Sequence, residues 1–180
     1  LIGRPAVIEM RIHKAGLDLQ AGRDFDVVNP ESDPRYREIW SEYYQIMSRK
    51  GVTPSIARAE IRRNPTLIGA MLLRRGLADA LVAGPSGQYT QQLKPIADVI
   101  GLSANARLFA SLTVLMLPKR TLFITDPYVN DNPDAEDVAA MTVLAAAEVR
   151  RFGLTPRVAL LSHSSFGGSS CSAPTKMSRA

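Results

Sequence analysis

Cysteine is almost missing from these 180 residues, and Cys171 stands alone. That excludes a disulfide framework and points to a reducing cytoplasm. Histidine is nearly as scarce, with only His13 and His163. Neither residue type clusters at a zinc spacing. No apolar run approaches the ~20 residues of a membrane span, and no signal peptide opens the chain. Aromatic residues make up 6% of the chain, and few of them lie among the basic residues. The net charge of +5 is scattered over Arg62-Arg63, Arg74-Arg75, Lys119-Arg120 and Arg150-Arg151. Most of these pairs sit near expected helix ends or turns, which argues against a nucleic-acid surface. There is no Walker loop and no GxGxxG fingerprint. An initiator Met is missing too. The chain opens like the tail of a strand at Leu1-Ile2-Gly3 and closes like a helix just beginning at Pro174–Ala180. We therefore expect a segment of a longer polypeptide, truncated at both ends.

The chain organises around residues 67–101. Leu67, Ile68, Met71 and Leu72 recur at helical spacing, and Gly76 is placed to cap that helix. Ala80-Leu81-Val82-Ala83 predicts a short strand buried on both faces. It runs into Gly84-Pro85-Ser86-Gly87, and a new helix starts near Tyr89. A strand, a glycine-rich turn and a helix aim backbone N–H groups at an anion in open α/β folds.

Before this stretch, a helix from Pro5 and a strand at Phe25–Val28 are expected. Asp33-Pro34 opens a long helix whose face carries Ile39, Trp40, Tyr43, Tyr44 and Met47. Its spacing predicts that Trp40 and Tyr44 are buried, as core or as a subunit interface. Thr53-Pro54 begins a further helix, which Asn64-Pro65 breaks. Ser103–Ala106 is small and polar, and is read as a hinge between a first lobe, 1–104, and a second, 105–180. Leu112–Leu117 and Leu122–Thr125 are spaced as a hairpin. Asp134, Glu136 and Asp137 open an alanine-rich helix that ends near Gly153. Val158–Leu161 predicts a second buried strand, ending in Ser162–Ser170.

Chemistry that needs a complete constellation is sparse. His163 lies between serines with no evident acidic orienter, and Cys171 has no base nearby. The acids of residues 126–137 do not match a calcium-loop spacing, and three of them have a capping role. No metal site and no catalytic residue is assigned.

Several stretches, in order and over nearly the whole chain, resemble the phosphate acetyltransferase family: GVTPSIARAEIRRNP, RGLADALVAG, LKPIADVIG, LFITDPYVNDNPDAEDVA and RRFGLTPRVALLSHSS. LIGRP, VVNPESDPRY, TLIGAMLLRRG and LLSHSSFG look like the forms in the phosphotransacetylase-like C-terminal domain of bacterial NADP-dependent malic enzymes. This resemblance implies an α/β protein of three layers, α/β/α, in two lobes with a ligand cleft between them. It also implies acetyl-CoA as an allosteric effector. The implied contacts are Ser86, Gln88, Tyr89, Lys94, Asn130, Ser162, His163, Ser164, Ser165, Gly167 and Ser169. The segment itself holds no cofactor. NADP and Mg or Mn, and the oxidative decarboxylation of malate to pyruvate, are implied for a malic enzyme domain N-terminal to it. The implied assembly is a homo-oligomer, with no nucleic acid and no membrane.

The departures from active transferases are specific. Those resemble this chain around Gly84 but carry His-Thr-Thr at Gly87-Gln88-Tyr89 and arginine at Lys94. Their second loop reads Ser-Tyr-Ser-Thr against Ser162-His163-Ser164-Ser165, while Asn130 and Pro133 keep the family's Asn-Pro loop. The family's further catalytic residues are expected beyond Ala180. Two alternatives stay open: part of a working phosphate acetyltransferase, and an assembly module with a vestigial cleft.

Overall fold

The computed structural model describes residues 1–84, 87–162, 164 and 172–180. They divide into two compact units, Leu1–Gly101 and Leu102–Ala180.

The first unit is built on helices with the expected punctuation. α1 is Pro5–Lys14, with proline in its first turn. α2 is Tyr36–Met47. It starts two residues later than Asp33-Pro34 predicts, because Asp33 accepts from the Arg35 backbone and guanidinium instead of capping a helix at Pro34. α3 is Pro54–Arg63, capped by the Thr53 side chain, which accepts from the Ile56 N–H. α4, Pro65–Arg74, is capped in the same way by Asn64 on the Leu67 N–H. α5 is Tyr89–Val99, with Pro95 inside it.

α4 is the hub of this unit. Thr66 through Leu72 are all buried, as expected of a helix that is apolar all round. It packs with Ile39, Tyr43 and Met47 of α2, Ala57 and Ile61 of α3, and Val99 of α5. Trp40 and Tyr44 are only partly buried against that core. The expectation that those two define the buried face is therefore corrected. The α2 stripe is wide, and its inner line is Ile39-Tyr43-Met47.

Two expected strands take another form. Ala80–Ala83 forms no strand: Leu81 packs partly buried against the core, but Val82 is 97% exposed. Phe25–Val28 contributes only isolated bridges, Ile2 to Val28 and Ala21 to Phe25. A parallel strand needs neighbours on its ladder; the described residues supply none for Ala80–Ala83 and only single bridge partners for Phe25 and Val28.

In the second unit, β1 (Thr113–Leu117) and β2 (Arg120–Ile124) form the expected antiparallel hairpin, with Leu115 opposite Leu122. Phe123 packs edge-on against Phe152 at 5.4 Å. α6, Ala135–Arg151, opens with a full capping box between Asp134 and Asp137. It buries Val138, Met141 and Val149. α7 is Ser172–Arg179. Val158–Leu161 is not a strand, and Leu161 is 80% exposed. Its expected burial fails for the same reason as that of Ala80–Ala83. No helix of the described residues is long and apolar enough to cross a membrane.

Candidate ligand-binding site

A groove of about 1390 Å³ runs through the first unit. Leu81 to Gly84 form one wall, the start of α5 another, and Lys50, Glu60 and Arg63 a third. Gln88 is the N-terminal flank of α5, and its side chain makes no capping bond. Tyr89 is 44% exposed. One turn on, Lys94 lines the groove, and its ammonium donates to Asp98 at 2.7 Å. Lys50 reaches the other oxygen of the same carboxylate at 2.9 Å. Burial pushes the Asp98 carboxyl up, but the two ammonium donors more than reverse it and hold it below the usual carboxylate range. Asp98 in turn raises the Lys94 ammonium above its ordinary value. Two lysines thus share Asp98, and Glu60 also acts on Lys94, so the positive balance of the groove lining comes from Arg11 and Arg63. Gln92 is held by the Thr66 hydroxyl, which donates to its side-chain carbonyl. The arrangement suits an anionic group with a polar neighbour, such as a phosphate ester.

In the second unit, Asn130 is a builder of its own loop. Its side-chain amide donates to the Phe109 carbonyl at 2.9 Å and to Asp126. Asp126 also collects the Ser111 hydroxyl and N–H and the backbone N–H groups of Tyr128, Val129 and Asn130. Burial works against the charge, but these donors outweigh it and lower the Asp126 carboxyl to about 2. Sequence reasoning missed this centre. Its only sequence trace is an Asp four residues before Asn130, in a loop rich in turn formers. The neighbouring acids are also structural, since Asp134, Glu136 and Asp137 all pair with Arg107.

Ser162 donates its hydroxyl to the Ser164 carbonyl at 2.8 Å. The Ser164 hydroxyl is buried with no hydrogen-bond partner among the described residues. Of the expected contacts, Gln88, Tyr89 and Lys94 lie at the start of α5, and of the three only Lys94 lines the groove. Ser86, His163, Ser165, Gly167 and Ser169 lie outside the described residues.

The fold is the α/β fold of phosphotransacetylases. The EutD phosphotransacetylase from Staphylococcus aureus superposes with a TM-score of 0.76 at 22% identity, over 99% of this chain and 52% of that one. The model of the phosphate acetyl/butaryl transferase family matches residues 1–180, so the chain belongs to that family. Within it, the chain is 51% identical over its whole length to an NADP-dependent malic enzyme of Escherichia coli, covering 24% of that protein. It is 45% identical over 98% of its length to an NAD-dependent malic enzyme of Rhizobium meliloti, covering 23% of that protein. The chain thus spans about a quarter of the length of these malic enzymes, in their phosphotransacetylase-like C-terminal part.

Proposed function

We propose that this chain is the effector-binding part of a malic enzyme. It takes up acetyl-CoA at the start of α5 and passes the signal to an N-terminal malic enzyme domain. That domain performs the NADP- and divalent-metal-dependent decarboxylation of malate. The observation that carries this reading is the identity of 51% with a malic enzyme along the whole chain. The groove beside Lys94 supports it: a lysine pair on one shared carboxylate is a preformed phosphate seat, and Lys50 holds Asp98 while Lys94 swings to the ligand. Lysine binds a phosphate as a point charge, whereas the arginine implied for active transferases gives a two-pronged contact. That difference fits binding without turnover.

An assembly role is a second reading. It draws on the hairpin, where Val114, Leu115, Met116, Leu117, Leu122 and Ile124 are all exposed. The first reading is tested by titrating the full-length protein with acetyl-CoA while following malate-dependent NADP reduction. Lys94→Glu turns attraction into repulsion, so affinity falls and the loss shrinks in high salt. Ser164→Ala probes the second loop separately and costs about 0.5–1.5 kcal/mol if that hydroxyl takes a ligand hydrogen bond. Unchanged affinity in both variants places the ligand elsewhere and leaves assembly as the better account.

A further inference from the structure

A second groove of about 770 Å³ lies between α2 and α3; it meets the first at Ala59, and Lys94 does not line it. Arg37, Arg58 and Arg62 line it, together with Tyr36 and Trp40, and no carboxylate does. The Arg58 guanidinium lies 4.3 Å from the centre of the Trp40 ring, and that of Arg62 lies 4.8 Å from the Tyr36 ring. The Tyr36 hydroxyl donates to the Arg58 carbonyl at 2.8 Å, which ties one ring to α3. Stacking fixes the plane of each guanidinium and leaves its N–H edge free to donate.

The acids of the same helices are committed elsewhere. Glu38 and Glu42 face Arg75 and Arg74 of α4. Glu60 takes the Tyr43 hydroxyl. Among the described residues, none of the three groove arginines is ion-paired, whereas Arg4, Arg35, Arg74, Arg75, Arg107 and Arg151 all are. Three uncompensated cations, two of them braced on rings in a concave site, call for an anion. The volume falls in the ~300–1,000 Å³ range of small-molecule sites. A guanidinium fork matches phosphate oxygens in pairs.

We propose that the α2–α3 groove binds a phosphorylated small molecule of nucleotide size, with its phosphates on Arg58, Arg62 and Arg37. This site is separate from the α5 site and does not depend on the acetyl-CoA reading.

The test is calorimetric titration of the full-length protein with ADP and with inorganic pyrophosphate, at low and high salt. Both bind, and both weaken as salt rises. The double variant Arg58→Gln/Arg62→Gln loses about tenfold or more in ADP affinity, as expected for lost charged hydrogen bonds. Arg37→Gln, an exposed change that touches no packing, loses less but measurably. Lys94→Glu keeps ADP binding, which separates this groove from the α5 site. Thermal melts confirm that each variant is folded. The proposal is overturned by any of three results: no ADP binding at millimolar concentration, ADP affinity unchanged in both arginine variants, or ADP binding lost in Lys94→Glu alone. Binding of an acidic peptide in place of either phosphate probe also overturns it, because it makes the groove a protein contact.

Discussion

Asp126 shows how much one side chain can organise. Its carboxylate accepts from Ser111, Asn130 and the backbone of the loop that follows it. Because its folded value is lowered to about 2, the charged form is favoured by folding. The stabilisation is complete above the ordinary carboxylate range of ~4 and is lost as pH falls toward 2. Denaturant midpoints measured across that window should drop for the unaltered protein. In Asp126→Asn the drop should be smaller, and stability at neutral pH lower, because the new amide turns a donor toward donors. Equal pH profiles for the two proteins would refute the assignment. Lys94 and Asp126 also differ in how legible they are. Lys94 is readable in sequence because it follows a recognisable turn by one helical step. Asp126 is not, because its partners, such as Ser111, come from 15 residues away, and no local pattern records that pairing.

At the scale of elements, capping chemistry is what the sequence states best. Thr53-Pro54, Asn64-Pro65 and the capping box at Asp134 all stand where residue type alone puts them. The phase of a wide stripe is less legible. Ile39, Trp40, Tyr43, Tyr44 and Met47 cover more of α2 than any one neighbour can bury, so packing against α3 and α4 together selects the inner line. Tyr43→Ala should therefore cost about 3–5 kcal/mol, and Trp40→Ala clearly less, since Trp40 is half covered and carries Arg58 on its face. Chemical denaturation of the two variants checks the order. α4 offers a sharper case. An added Cβ on Gly69 would lie 2.5 Å from a Leu81 methyl and 3.4 Å from one of Ile2. Alanine gains about 1 kcal/mol of helix propensity, but it displaces Leu81. The net cost should be about 1–2 kcal/mol, and Leu81→Ala should relieve much of it. A double-mutant cycle on unfolding free energy reads that coupling, and simple additivity would mean that the two residues do not meet.

For the whole molecule, the apolar segments that look like buried strands are the informative failure. Val82 and Leu161 are 97% and 80% exposed. Composition marks Ala80–Ala83 and Val158–Leu161 as interior, and on that point the sequence speaks clearly. A strand is buried only when other strands and helices flank it, and such partners are a property of the assembled sheet. Among the described residues no strand flanks either segment, so their apolar side chains stay at the surface. Exposed unpaired apolar edges drive association. The 180 residues expressed alone should therefore self-associate at micromolar concentration, as seen by light scattering during a concentration series. Leu160→Lys/Leu161→Lys should reduce the scattering, since charge on an unpaired edge opposes edge-to-edge pairing. The same double change in a longer parent protein should destabilise it if a sheet covers the two positions there. Scattering that the substitutions leave unaltered would move the association elsewhere, to the hairpin at Val114–Ile124. Full-length stability that they leave unaltered would show that Leu160 and Leu161 remain at the surface in the complete fold.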